Sequence, residues 1–120
     1  MQKAVQGFTI MKIQVLLKRG IYFFVFLQIK KQGNMDILVR KATDRDIAAM
    51  KSKPVWTCEV SQFDWHYDSE ETCLLVEGEV SVSYGSKSVS FGAGDLVVFP
   101  QGLSCVWNVK KPVRKHYMFK

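Results

Sequence analysis

Beyond Pro54 no apolar residues recur at helical spacing, and β-branched and aromatic residues fill short runs punctuated by glycine at 78, 85, 92, 94 and 102. A strand turns successive side chains to opposite faces, so runs of this kind predict a β domain. Phe63, Trp65 and Tyr67 fall on one parity and Gln62, Asp64, His66 and Asp68 on the other, which predicts a strand that buries its aromatic set. Glu71 to Tyr84 reads as a longer strand bent at Gly78, with Val80, Val82 and Tyr84 facing one way. Gly85-Ser86 turns the chain into a return strand at Lys87 to Phe91, and Gly92-Ala93-Gly94-Asp95 turns it again into Leu96 to Phe99. Pro100-Gln101-Gly102 leads on to strands expected at Cys105 to Val109 and Arg114 to Phe119. One short helix precedes them all. Thr43 stands three residues before Asp46 and is followed by Ile47 to Met50, a capping-box-like start, with Lys53-Pro54 ending the helix. Strands at near-regular spacing with Gly and Pro turns predict a sandwich or small barrel of the jelly-roll kind.

A chain of 120 residues is enough for one domain. Its net charge of +6 suggests a polyanion partner until the charge is located. Residues 1–34 hold six of the 17 Lys and Arg and none of the 11 Asp and Glu, so 35–120 carries 11 of each. The β part therefore has no excess positive field to attract nucleic acid. In the first 34 residues the longest apolar run, Ile21 to Ile29, is too short to span a bilayer, and Lys18, Arg19 and Gly20 stop it from being lengthened. A secretory signal fits the early charge, but KKQGN follows with no small-residue cleavage site. The favoured reading makes 1–34 an appended arm outside the barrel, or places the natural start at Met35, with 35–120 as the domain. Cys58, Cys73 and Cys105 form an odd set without a C-x-x-C pair, which predicts neither a zinc ribbon nor a disulfide framework. The simplest setting is a reducing, cytoplasmic one.

Two motifs narrow the fold. Gly94-Asp95-Leu96-Val97-Val98-Phe99-Pro100-Gln101-Gly102 resembles the second cupin motif, G-x5-P-x-G, in which the proline fixes φ and the last glycine permits a tight reversal. Glu71, followed by six residues and then Gly78, resembles the end of the first, H-x-H-x3 or 4-E-x6-G. The stretches FDWHYDSEETCLLVEGEV, GDLVVFPQGLSCVWNV and PVRKHYMF are similar to small single-domain cupins grouped with the (S)-ureidoglycine aminohydrolase cupin domain. That resemblance covers about Val55 to Phe119. It implies an all-β double-stranded β-helix of six or more strands, with a homodimer as the common assembly. It also implies where a metal would sit, since metal-binding cupins take two His and a Glu from the first motif and one His from the second. Here a three-residue gap before Glu71 puts Trp65 and Tyr67 at the two His positions, whereas a four-residue gap puts Asp64 and His66 there. The first register is favoured, because a one-residue slip would turn the polar parity into the barrel. In the second motif Cys105 stands at the His position and Val109 at the usual Asn. A site with one carboxylate and one thiolate is poor provision for a metal. No cofactor is favoured. If a divalent ion such as Mn, Fe, Ni or Zn binds, its ligands are Glu71, Cys105 and His66.

The residues singled out each carry two readings. Glu71 in an apolar barrel is a candidate general acid or base, because burial disfavours its charged form, or else a structural hydrogen-bonding carboxylate. Cys105 is a candidate nucleophile if its thiolate is stabilised, and otherwise an inert buried thiol. Trp65, Tyr67 and Trp107 shape a ligand pocket or simply fill the core, with Trp107 sharing the parity of Cys105 and lining the same cavity. Lys110-Lys111 and Arg114-Lys115-His116 form the basic cluster of the β part, by default a solvated face with His116 exposed. In the functional version Lys115 and Tyr117, on one parity, reach the barrel mouth to neutralise an anionic ligand. The leading expectation is a small-molecule-binding cupin without a His-rich metal centre. The rivals are a metal-dependent hydrolase or isomerase acting on a nitrogenous or sugar-like compound, and a non-catalytic interaction module.

Overall fold

The computed structural model describes residues 35–120, so the reading of 1–34 as an arm or targeting segment lies outside the described residues. Seven strands and one helix follow in order: β1 (Leu38–Lys41), α1 (Asp44–Met50), β2 (Val55–Cys58), β3 (Ser61–His66), β4 (Glu71–Tyr84), β5 (Lys87–Gly92), β6 (Asp95–Phe99) and β7 (Ser104–Phe119). Every pairing is antiparallel. Among the described residues no helix is long and apolar enough to cross a membrane.

The frame is the pair of long strands β4 and β7, which run together along most of their length. The first half of β4 also pairs with β6, which in turn carries β1, while the second half of β4 pairs with β5. The second half of β7 also pairs with β2 and its first half with β3. Each long strand thus passes from one set of neighbours to another at its middle. The bend is built by Gly78, whose φ of +117° is closed to other residues. There the register slips, so that Glu77 faces Arg114 and Glu79 faces Lys111. Pro112 lies opposite this bulge, where its missing N–H leaves no ladder bond broken. Two strands expected at Cys105 to Val109 and Arg114 to Phe119 are consequently one continuous strand, because the proline sits where the ladder is already interrupted.

The inward parities follow the alternation. Val80 and Val82 of β4, Phe91 of β5, Val97 and Phe99 of β6, and Cys105, Trp107, Val109 and Val113 of β7 are all buried. Phe99 stacks on Tyr67 at 4.7 Å between ring centres and meets Phe91 and Trp107 at 6.0 and 5.7 Å. The helix begins as its residues predict. Thr43 Oγ1 accepts from the Asp46 backbone N–H, and the Asp46 carboxylate accepts from the Thr43 N–H. Arg40 grips the same carboxylate with both guanidinium nitrogens, at 2.6 and 3.1 Å. That grip first, and the Thr43 N–H second, hold the Asp46 carboxyl well below the usual carboxylate range. Met50 at the far end packs on Leu74 and Leu96, so the helix closes that side of the sheet.

Candidate functional site

The turn after β6 places one wall of the site. Gly102, at φ +90°, donates its N–H to the Tyr67 carbonyl at 2.7 Å, and the Tyr67 N–H reaches the Leu103 carbonyl at 2.9 Å. The G-x5-P-x-G turn therefore pins Tyr67 at the end of β3 with its ring in the core, 1% exposed. Its phenolic oxygen accepts from Trp107 Nε1 at 3.1 Å. Burial first, and the Glu71 charge second, push the phenol well above its ordinary value, so it remains a neutral hydroxyl.

The floor lies on β4 and β7. Glu71, Cys73 and Leu75 face Phe119, Tyr117 and Lys115 across the ladder, so all six project to one face. Lys115 Nζ bends along that face to donate to Glu71 Oε2 at 2.7 Å, with the two side chains 6% and 4% exposed. Trp56, directly opposite Lys115 on β2, and Trp107 present their ring faces to the ammonium at 4.7 and 4.8 Å. Aromatic faces attract a desolvated cation. Together, carboxylate and rings hold a charge that the core would otherwise reject. Removing one member of such a pair leaves an uncompensated buried charge, at a cost of about 3–5 kcal/mol.

Above this floor is a cavity of about 250 Å³ lined by Trp56, Phe63, Trp65, Tyr67, Glu71, Trp107, Lys115, Tyr117 and Phe119. Of the residues named from sequence, Glu71, Trp65, Tyr67, Trp107, Lys115 and Tyr117 come together here. The expected solvated face at Lys115 is corrected: β7 continues past the bulge at Pro112, and beyond it Val113 and Lys115, the latter opposite buried Leu75 of β4, project inward. Its neighbours do remain outside, with Arg114 against Glu77 and Lys111 near Glu79. His116 is half-buried rather than exposed and lies 2.9 Å from the Lys53 carbonyl, to which Nδ1 donates. Trp65 is not buried with its parity. It is 49% exposed, because β3 is an outer strand paired only with β7 and the cavity opens beside it.

Cys105 is separated from this group. It is buried on the inward face opposite Trp65, yet it borders a second, more open groove of about 610 Å³ with His66, Ser104 and Tyr84. Trp65 lines both spaces and so stands between them. The expectation that Cys105 and Trp107 share one cavity is therefore corrected. Burial first, and then the Glu71 charge, push the Cys105 thiol up to about 11, which leaves it without the thiolate a nucleophile needs. His66 stands on the opposite parity, exposed, with Nδ1 2.7 Å from Ser104 Oγ. Phe63 joins the cavity on the inward aromatic parity read from sequence, while Trp56 and Phe119 join the site without having been expected there. The sequence signal for them is slight: Trp56 lies in a four-residue strand, too short for alternation to register, and Phe119 ends the last strand.

A divalent metal does not fit these residues. Among the described residues no group of three or more His, Cys, Asp or Glu converges on one point. Glu71 is the cavity's one carboxylate, and a lysine ammonium is already bonded to it where a dication would have to approach. What the site offers instead is an acid and a base in contact under aromatic walls, able to bind and polarise a carbonyl or carboxylate oxygen.

Strand order, the Gly78 bend and Gly102 turn of the two motifs, and an inward-facing site between the long strands define a cupin. The family of EutQ-like cupin domains matches residues 47–117. A DUF861 family protein from Thermotoga maritima is 42% identical, with 71% of this chain covering 100% of that one at a TM-score of 0.68. The chain belongs to the EutQ-like cupin domain family. The Clostridium difficile EutQ protein is 19% identical over 71% of this chain and 69% of that one, with a TM-score of 0.50, a likeness of fold alone. No curated protein matches the chain.

Proposed function

We propose that this cupin binds a small organic molecule in the aromatic cavity above Glu71 and Lys115, without a His-rich metal centre. The observation that carries the reading is the buried ion pair at 2.7 Å on the floor of an otherwise aromatic cavity. Apolar walls with a few convergent polar groups are the composition of ligand sites. The metal-dependent hydrolase or isomerase of the ureidoglycine aminohydrolase type ranks behind it, because Trp65 and Tyr67 stand at the His positions and Lys115 occupies the carboxylate. An interaction module using a sealed barrel ranks behind it too, since Trp65 at 49% exposed leaves the cavity open. The same proposal includes a reducing, cytoplasmic setting for the three free cysteines and a homodimer.

The test is a small-molecule screen read by tryptophan fluorescence, repeated with Glu71→Gln. Glutamine keeps the shape and an acceptor for Lys115 but removes the charge, so the variant is expected to unfold cooperatively at a lower urea midpoint and to bind its ligands with an affinity changed at least about tenfold, weaker for a ligand held by the carboxylate and tighter for one held by the ammonium. Hits whose affinity is unchanged in Glu71→Gln would place the binding site elsewhere.

A further inference from the structure

Resting on the cavity as a binding site, we infer that its ligand carries a carboxylate, and that Lys115 is the built-in cation that receives it. The argument is a count of donors and acceptors around the cavity. A lysine ammonium has three N–H donors. Lys115, 5% exposed, gives one to Glu71 Oε2, and the other two meet no oxygen or nitrogen acceptor among the described residues, only the ring faces of Trp56 and Trp107, which are weaker acceptors than a carboxylate. The Tyr67 hydroxyl is occupied as an acceptor by Trp107 Nε1, which leaves its own hydrogen to donate, and Tyr117, whose hydroxyl makes no hydrogen bond among the described residues, also lines the cavity. Against these donors the same residues offer one uncommitted strong acceptor, Glu71 Oε1. Buried donors without partners are costly, so the occupant that completes the site is rich in acceptor oxygens.

Charge and shape narrow the class. A cationic ligand would find the aromatic faces of Trp56 and Trp107 already filled by the Lys115 ammonium, and would be repelled by it. A carboxylate lets Lys115 bridge two carboxylates, its own Glu71 and the ligand's, with charge-assisted bonds to its free N–H groups. The body of the ligand then lies between aromatic walls, which favours a planar or apolar group. Recognition of this kind needs no metal, because the positive charge is supplied by the chain.

Benzoate, benzamide and benzylamine, matched in size and differing in head group, test the inference on the full-length protein by tryptophan fluorescence and by ligand-observed NMR. Benzoate is expected to bind about tenfold more tightly than benzamide, and benzylamine not at all, with no change on adding a chelator. Lys115→Met should abolish the preference. Because that variant leaves Glu71 buried and unpaired, the double variant Glu71→Gln, Lys115→Met is measured beside it, and there benzoate and benzamide should bind within about twofold of each other. Equal binding of benzoate and benzamide to the unmodified protein, or a preference for benzylamine, would overturn the carboxylate while leaving the cavity as a binding site. Binding of none of the three would overturn both. A benzoate preference that survives in the double variant would assign the anion to another cation.

Discussion

Lys115 shows at the scale of one residue how a side chain's chemistry depends on what faces it. In sequence it belongs to a run of basic residues, and such runs are usually solvated. Its partner is 44 positions away, on a strand that no local pattern links to it. The cysteines show the reverse dependence, of chemistry suppressed by surroundings. Cys73 is fully buried, and burial pushes its thiol up to about 12 even though the Lys115 charge opposes the rise. Cys105 is pushed up to about 11 for the same leading reason. Both folded-state values lie above the ordinary thiol range near 8.5, so the stability gained by keeping the thiols neutral is complete below that pH and is lost as pH rises through the folded values. Urea denaturation should therefore show stability declining between about pH 8.5 and 11, and the decline should flatten in the double variant Cys73→Ala, Cys105→Ala. An identical slope in that variant would refute the assignment.

At the scale of elements, the long strands β4 and β7 decide the architecture, and the bend they share is where the fold is most sensitive. A Cβ added to Gly78 would lie 2.8 Å from the Pro112 carbonyl oxygen and 2.8 Å from Val113 Cα, both backbone atoms that cannot swing aside. The φ of +117° adds strain of its own. Gly78→Ala is expected to cost more than about 2 kcal/mol, by backbone strain and steric overlap together, measured as a lower urea midpoint with the m-value retained. A loss below about 0.5 kcal/mol, the size of an ordinary surface change, would mean the bend does not need glycine. The bend is marked in the sequence by Gly78 itself. That Pro112 answers it from across the ladder is not, because cross-strand register is a property of two strands and appears in neither alone.

For the whole molecule, an aromatic cavity whose one carboxylate is already bonded to an ammonium makes metal content the decisive measurement. Elemental mass spectrometry after equilibration with Mn, Fe, Ni and Zn and exhaustive desalting should find well under one ion per chain, unchanged in Glu71→Gln. A stoichiometric ion lost in that variant would restore a metal centre and displace Lys115 from its proposed role. The fold itself is legible in the amino-acid sequence. Alternation over β3 to β6, the capping box at Thr43, the glycine turns at Gly85 and Gly94 and the Pro100-Gln101-Gly102 turn are local patterns whose physics acts within a few residues. The position of Glu71 and the aromatic parity of Phe63, Trp65 and Tyr67 follow from the same local rules, aided by the motif spacing. Everything that requires two distant segments to meet is settled by the folded chain: Lys115 against Glu71, Trp56 over the ammonium, and Cys105 set apart behind Trp65. Side-chain parity is written into one strand, but partners are chosen by register and by which charges the core can hold only in pairs.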